Sequence, residues 1–191
     1  MAKNRNLIKN NAYNFKLRST ASFFIGTYFI LGIVLIKTII AGFIAVDSPF
    51  SFLTVNFLEL CIFIITFLVF LFSILALFFG SRRNTRKIGN KVWNQNSKKM
   101  MWLLAILLIV LYGIEFYLLR IGEEAFIIPT FIMGYGILLF LLNFSKTIPI
   151  YLFSMACFLI GFVPLFIDGF EFYSLIALGV SHYVYGLSTF K

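Results

Sequence analysis

The feature that most constrains this chain is a succession of apolar runs, each close to or above the length of a membrane span, separated by short polar interruptions. A hydrocarbon core of roughly 30 Å is crossed by about 20 helical residues rising 1.5 Å each, so runs of this length read as membrane-spanning helices. Composition agrees, with 61% apolar and only 12% charged residues, against about 45–50% and about 25% in soluble domains. A water-soluble fold is therefore excluded. A transmembrane β-barrel is excluded as well, because its strands alternate apolar and polar residues over about ten positions, and Phe63 to Phe72 (FIITFLVFLF) does not alternate. The expected fold is an all-α integral membrane protein, a bundle of about six transmembrane helices.

Along the chain, residues 1–20 form a basic arm carrying Lys3, Arg5, Lys9, Lys16 and Arg18 without an acid. The first apolar run, 21–46, is longer than the roughly 7–15 residues of a cleavable signal core, which predicts an uncleaved first helix. Asp47-Ser48-Pro49 marks a turn, a second run covers 52–80, and residues 21–80 are expected to fold as a helical hairpin. Residues 81–99 form a basic loop with Arg82, Arg83, Arg86, Lys87, Lys91, Lys98 and Lys99. The remaining bundle, 100–191, divides into helices over 100–119, 125–144 with Pro129 in its first turn, a fifth ending near Ile167, and a sixth reaching Lys191. Cys61 and Cys157 both lie in apolar runs and read as small core residues, with no disulfide framework, metal site or cofactor implied.

Charge gives these crossings a direction. With the amino terminus inside, fourteen of the 16 Lys and Arg residues fall in the arm, the basic loop, Lys146 and Lys191, and only Arg120 falls outside. Cationic loops stay in the cytoplasm, so an N-in, C-in topology in a plasma membrane, bacterial inner membrane by type, is expected. Asp47, Glu123, Glu124, Asp168 and Glu171 all fall at the opposite turns. Topology alone thus accounts for the net charge of +9, and no nucleic-acid partner is implied. The basic arm and loop are suited to anionic lipid headgroups, at about 1 kcal/mol per basic residue near the surface, or to a protein partner, including a second copy of the chain.

Four ionisable residues, Lys37, Glu59, Glu115 and His182, fall inside the spans, where each needs a partner or a purpose. Counting from the outer ends, Lys37 is about 13 Å deep and Glu59 about 10 Å deep on successive helices, which predicts an ion pair. Asn56, Glu59, Thr66 and Ser73 recur at helical spacing on one face of the second helix, and Ser174, Ser181, His182 and Tyr185 do so on the sixth. Both stripes are expected to face the bundle interior. Glu115, with Tyr112 one turn before it and Arg120 beyond it, is expected to snorkel to the outer interface.

Chemical motifs are scarce. A single histidine excludes bis-histidine haem ligation, and neither H-E-x-x-H nor a phosphate-binding G-x-x-x-x-G-K-[ST] is present. Ser154 stands in LFSMA on a plain helix rather than in a nucleophile elbow. The leading expectation is a non-enzymatic accessory or assembly subunit. Two others stand beside it: a small ion- or proton-coupled transporter or channel using the polar stripes, and a membrane-embedded lipid-modifying enzyme with a lateral opening lined by Glu115, His182 or Tyr185.

Overall fold

A computed structural model describes residues 15, 17–45, 53–87, 93–142, 148–167 and 169–190. Residues 1–14, Lys16, Asp47, Lys91, Lys146, Asp168 and Lys191, and the side chains of Arg83, Arg86 and Lys87, lie outside that description. Among the described residues the regular structure is entirely helical: α1 (Ser19–Ile44), α2 (Val55–Lys87), α3 (Gln95–Ile121), a 3-10 turn (Glu124–Phe126), α4 (Ile127–Leu142), α5 (Ile148–Phe162), a second 3-10 turn (Val163–Leu165) and α6 (Glu171–Ser188). In hydrocarbon the helix is the one single-segment structure that satisfies its own backbone N–H and C=O groups, so uninterrupted apolar runs have little else to become.

Five of these segments are long and apolar enough to cross a membrane: Ser19–Ile44, Val55–Arg82, Gln95–Ile121, Glu124–Leu142 and Ile148–Leu165. This marks the chain as an all-helical membrane protein. α6 has 18 residues but falls short in hydropathy, because Glu171, Ser174, Ser181, His182, Ser188 and three tyrosines dilute its apolar content.

The ends of the helices follow local chemistry. Asn94 caps α3 by accepting the Ser97 N–H at 2.8 Å, and Gly122 closes it in the left-handed region at φ 77° with its N–H on the Leu118 and Leu119 carbonyls, a position that favours glycine. Pro129 lies in the first turn of α4, where proline is tolerated. The basic stretch from Arg82 to Lys87 contains no glycine or proline, and α2 continues through it. The interhelical loop is thus shorter than 81–99: Lys98 and Lys99 already belong to the first turns of α3.

α4 is the axis of the bundle, with eleven of its 16 residues buried, whereas α3 buries six of 27. The most extensive helix contacts are α4 with α5, α1 with α6, and α1 with α2. Phe29, Phe70, Phe131, Tyr135, Leu138 and Leu139 fill the core between them. Glycines set the closest approaches. A Cβ on Gly136 would stand 2.8 Å from the Phe158 backbone nitrogen, and one on Gly161 would stand 2.8 Å from that of Met133, so α4 and α5 meet backbone to backbone. Gly26 and Gly179 do the same for α1 and α6, with a Gly26 Cβ only 2.9 Å from the Gly179 carbonyl oxygen. Small residues at helix contacts are the usual means of tight packing in lipid, where no hydrophobic force draws helices together.

Candidate functional site

The polar residues of the interior separate into two clusters. The first is centred on His182 of α6, which has no solvent exposure. Its Nδ1 lies 2.9 Å from the Ser22 Oγ of α1, its Nε2 lies 2.8 Å from the Tyr135 hydroxyl of α4, and Ser22 Oγ also donates to the His182 carbonyl at 2.8 Å. That last bond uses the only proton Ser22 has, so Nδ1–H must donate to Ser22 Oγ, leaving Nε2 to accept from Tyr135. A neutral imidazole in the Nδ1–H tautomer satisfies every group at once. Phe29 stacks on the ring (centroids 6.0 Å apart, 11° between planes) and Phe153 meets it edge-on at 4.8 Å. The arrangement fastens three helices together.

Other members of the α6 stripe serve the same contact or their own helix. Ser181 donates to the Leu178 carbonyl at 2.7 Å. Ser174 is buried, and Tyr185 is nearly so, stacked on Phe153 at 4.7 Å. Across the α1–α6 contact, Ser19 Oγ donates to the Gly186 carbonyl at 2.7 Å, and the Thr27 and Tyr183 hydroxyls meet at 2.9 Å. Ser154 donates to the Gly136 carbonyl at 2.8 Å, so it bridges α5 to α4 and forms no dyad with His182.

The second cluster lies between α2 and α3. Thr66 and Ser73 of the α2 stripe are buried but donate to carbonyls of their own helix, Phe63 at 2.9 Å and Val69 at 2.7 Å. Asn56 is exposed. Opposite them on α3, Glu115 is wholly buried and neither carboxyl oxygen has a hydrogen-bond partner. The expected snorkelling is not what the structure has: Glu115 shares a face with the buried Tyr112 and Leu111 and points into the bundle, while Arg120 is exposed at the last turn.

Lys37 and Glu59 are not joined by an ion pair; each has a different neighbour. The Lys37 ammonium stands over the rings of Phe172 and Tyr173 on α6, 5.4 and 5.8 Å from their centroids, and Glu59 meets the carboxyl of Glu124. Lys37 is exposed, seven residues before the end of α1, and Glu59 is half-buried in the first turns of α2. Equal depth on neighbouring helices had suggested the pair; helix rotation about the axis, which depth does not fix, directs Lys37 to α6 instead.

Among the described residues no group of three or more histidine, cysteine or acidic side chains could hold a metal. Cys61 and Cys157 are free. A groove of about 230 Å³ opens between α4 and α5, lined by Gly136, Ile137, Phe140, Tyr151, Ser154, Met155 and Phe158. Tyr135 is the site residue that sequence reasoning missed. Its signal was the run Gly134-Tyr135-Gly136, a hydroxyl-bearing ring between two glycines in an otherwise apolar helix. Comparison of the chain with protein-family models, curated proteins and solved structures gives no match.

Proposed function

We propose that the protein is a non-enzymatic accessory or assembly component of a plasma membrane, of the bacterial inner-membrane type. It crosses six times with both ends in the cytoplasm and engages a protein partner or anionic headgroups through its basic cytoplasmic rim. The observation that carries this reading is the closure of the His182 cluster. The polar groups best placed for chemistry at the bundle centre are used up in bonds between α1, α4 and α6, which leaves the periphery as the surface free to act.

The sixth crossing is supported by the pairing of α6 with α1. Contacts run from Ser19 with Gly186, through Ser22 with His182 and Gly26 with Gly179, to Lys37 with Phe172. The two helices are antiparallel neighbours over nearly all of α6, which runs beside residues 19–37 of α1. Polarity is tolerated in α6 because its polar face is turned to the bundle and not to lipid. The direction rests on charge, fourteen of the 16 basic residues falling on one side in this topology.

A lipid-modifying enzyme would need a lateral opening lined by Glu115, His182 or Tyr185. The groove between α4 and α5 contains none of them. Solubilisation from native membrane in mild detergent, followed by mass spectrometry of protein and lipid, tests the proposal. A stoichiometric partner or retained anionic lipid is expected; a lone protein that gives pH-dependent ion flux in proteoliposomes would replace it with the small transporter or channel. A reporter active only in the cytoplasm should work when fused after Lys191, and activity after Gly122 would reverse the orientation.

A further inference from the structure

Among the described residues, Glu115 is a wholly buried carboxyl that the bundle leaves without a partner. It lies on α3 about 9 Å, six residues at 1.5 Å, from the end of that helix at Ile121. Both of its oxygens are buried without a partner, and so is the hydroxyl of Tyr112 one turn earlier. Three rings of α2, Phe63, Phe67 and Phe70, hold Tyr112 edge-on at 5.4, 5.0 and 6.1 Å. Tyr112 and Glu115 lie one turn apart on the same buried face of α3, and the surroundings of the Tyr112 hydroxyl include the Glu115 carboxyl and the Thr66 hydroxyl.

A donor count decides which form of Glu115 this surrounding suits. An ionised carboxylate accepts at two oxygens and offers no proton, and among the described residues neither oxygen of Glu115 has a donor within hydrogen-bond distance. The protonated acid, in contrast, completes a chain in one direction. Glu115 donates to Tyr112, Tyr112 to Thr66, and Thr66 to the Phe63 carbonyl, the last bond being formed already at 2.9 Å. The first two links are open in this structure, since the Glu115 oxygens and the Tyr112 hydroxyl have no partners, and forming them requires these side chains to rotate. No cation faces it among the described residues: Lys37 is held over α6, Arg120 is exposed, and the single ionisable group of α4, Tyr135, is bonded to His182. Of the other ionisable groups on α2 and the 3-10 turn, Glu59 and Glu124 meet each other, and Cys61 is a free, half-buried thiol.

We propose that Glu115, backed by Tyr112 and Thr66, is an intramembrane proton-binding site, a carboxylic acid whose proton exchanges with water at the end of the bundle where α3 meets Glu124. Thr66 of this cluster also lines an apolar cavity of about 10 Å³ together with Phe29, Val69 and Phe131, and Phe29 in turn stacks on His182. The inference is independent of the accessory-subunit reading, since either can hold without the other.

The test uses the full-length protein in liposomes and a hydrophobic carbodiimide, a reagent that adds to protonated carboxyls in apolar surroundings. Peptide mapping is expected to place the adduct on Glu115, with labelling that falls as pH is raised and at least a tenfold loss in Glu115→Gln. Infrared spectroscopy supplies a readout that a packing role would not move. A protonated-acid carbonyl band should be present in the wild type, absent in Glu115→Gln and shifted in Tyr112→Phe. No adduct on Glu115 together with no difference band overturns the proposal. So does protection by sodium at fixed pH, which would make the site a metal-cation site. Adduct mapping requires only the wild-type chain, so a variant that fails to fold leaves the question decidable.

Discussion

Replacing His182 by phenylalanine is the sharpest probe of how the bundle is held. The new ring keeps the stacking on Phe29 and the edge contact with Phe153, while both ring hydrogen bonds disappear. Hydrogen bonds between membrane helices are worth about 0.6 kcal/mol on average and up to about 1.7, so two account for about 1–3 kcal/mol. Ser22 keeps its bond to the main-chain carbonyl of residue 182 and adds little. The Tyr135 hydroxyl, at 0% exposure, is left without an acceptor, a loss of about 1–3 kcal/mol in buried sites. These two contributions overlap at Tyr135, and a total of about 2–3 kcal/mol is expected. Unfolding in mixed micelles by increasing dodecyl sulfate, followed by tryptophan fluorescence, measures it. Tyr135→Phe in the His182→Phe background removes the orphaned hydroxyl, so the double variant should be no less stable than His182→Phe alone, a coupling of about 1–2 kcal/mol. Strictly additive losses, or a neutral His182→Phe, would refute the account of His182 as a three-helix fastening.

Three further outcomes follow from the packing. Gly136→Ala should destabilise by about 1–3 kcal/mol, because its Cβ would press on the Phe158 backbone, while Gly113→Ala, with open space around it, should be neutral or stabilising by up to about 1 kcal/mol; the same unfolding titration separates them, and equal effects would discount the close approach of α4 and α5. Lys37→Glu with Glu59→Lys should show no mutual rescue, with coupling below about 0.3 kcal/mol in a double-mutant cycle. Lys37→Ala should lose only about 0.5–1 kcal/mol, the scale of an exposed cation–π contact, as read from the shift of the unfolding midpoint.

What could be read from sequence here was what lipid enforces. The helices fall where the apolar runs fall, because no other backbone arrangement is open to such segments, and α3 ends at Ile121, within the Arg120–Glu124 interruption. The inward turn of His182, Thr66 and Ser73 was likewise legible, since a polar stripe on a spanning helix has only the bundle to face. What was not legible was partnership. Depth along the axis puts Lys37 and Glu59 at similar levels, but rotation about the axis decides contact, and rotation is set by glycine approaches such as Gly26 to Gly179 that involve residues more than 150 positions apart.

Glu115 shows the same limit from the other direction. Six residues from a helix end, a carboxylate can reach water by extending along the helix, and nothing in its immediate sequence forbids it. Its fate turns on which face of α3 the bundle covers. Leu111 lies against Gly134 of α4, where a Cβ would meet its side chain at 2.5 Å, and Tyr112 enters the three phenylalanine rings of α2. Once those two residues are fixed inward, Glu115 lies one turn away on the same face and is carried in with them. α3, the least buried of the five long apolar helices, thus buries Glu115, the one fully buried carboxyl among the described residues, because its few packing residues leave that side chain nowhere else to point. An acid retained in such a position without a donor to pair it is a stability burden, and that burden is the physical reason to look for its use in the proton it can hold.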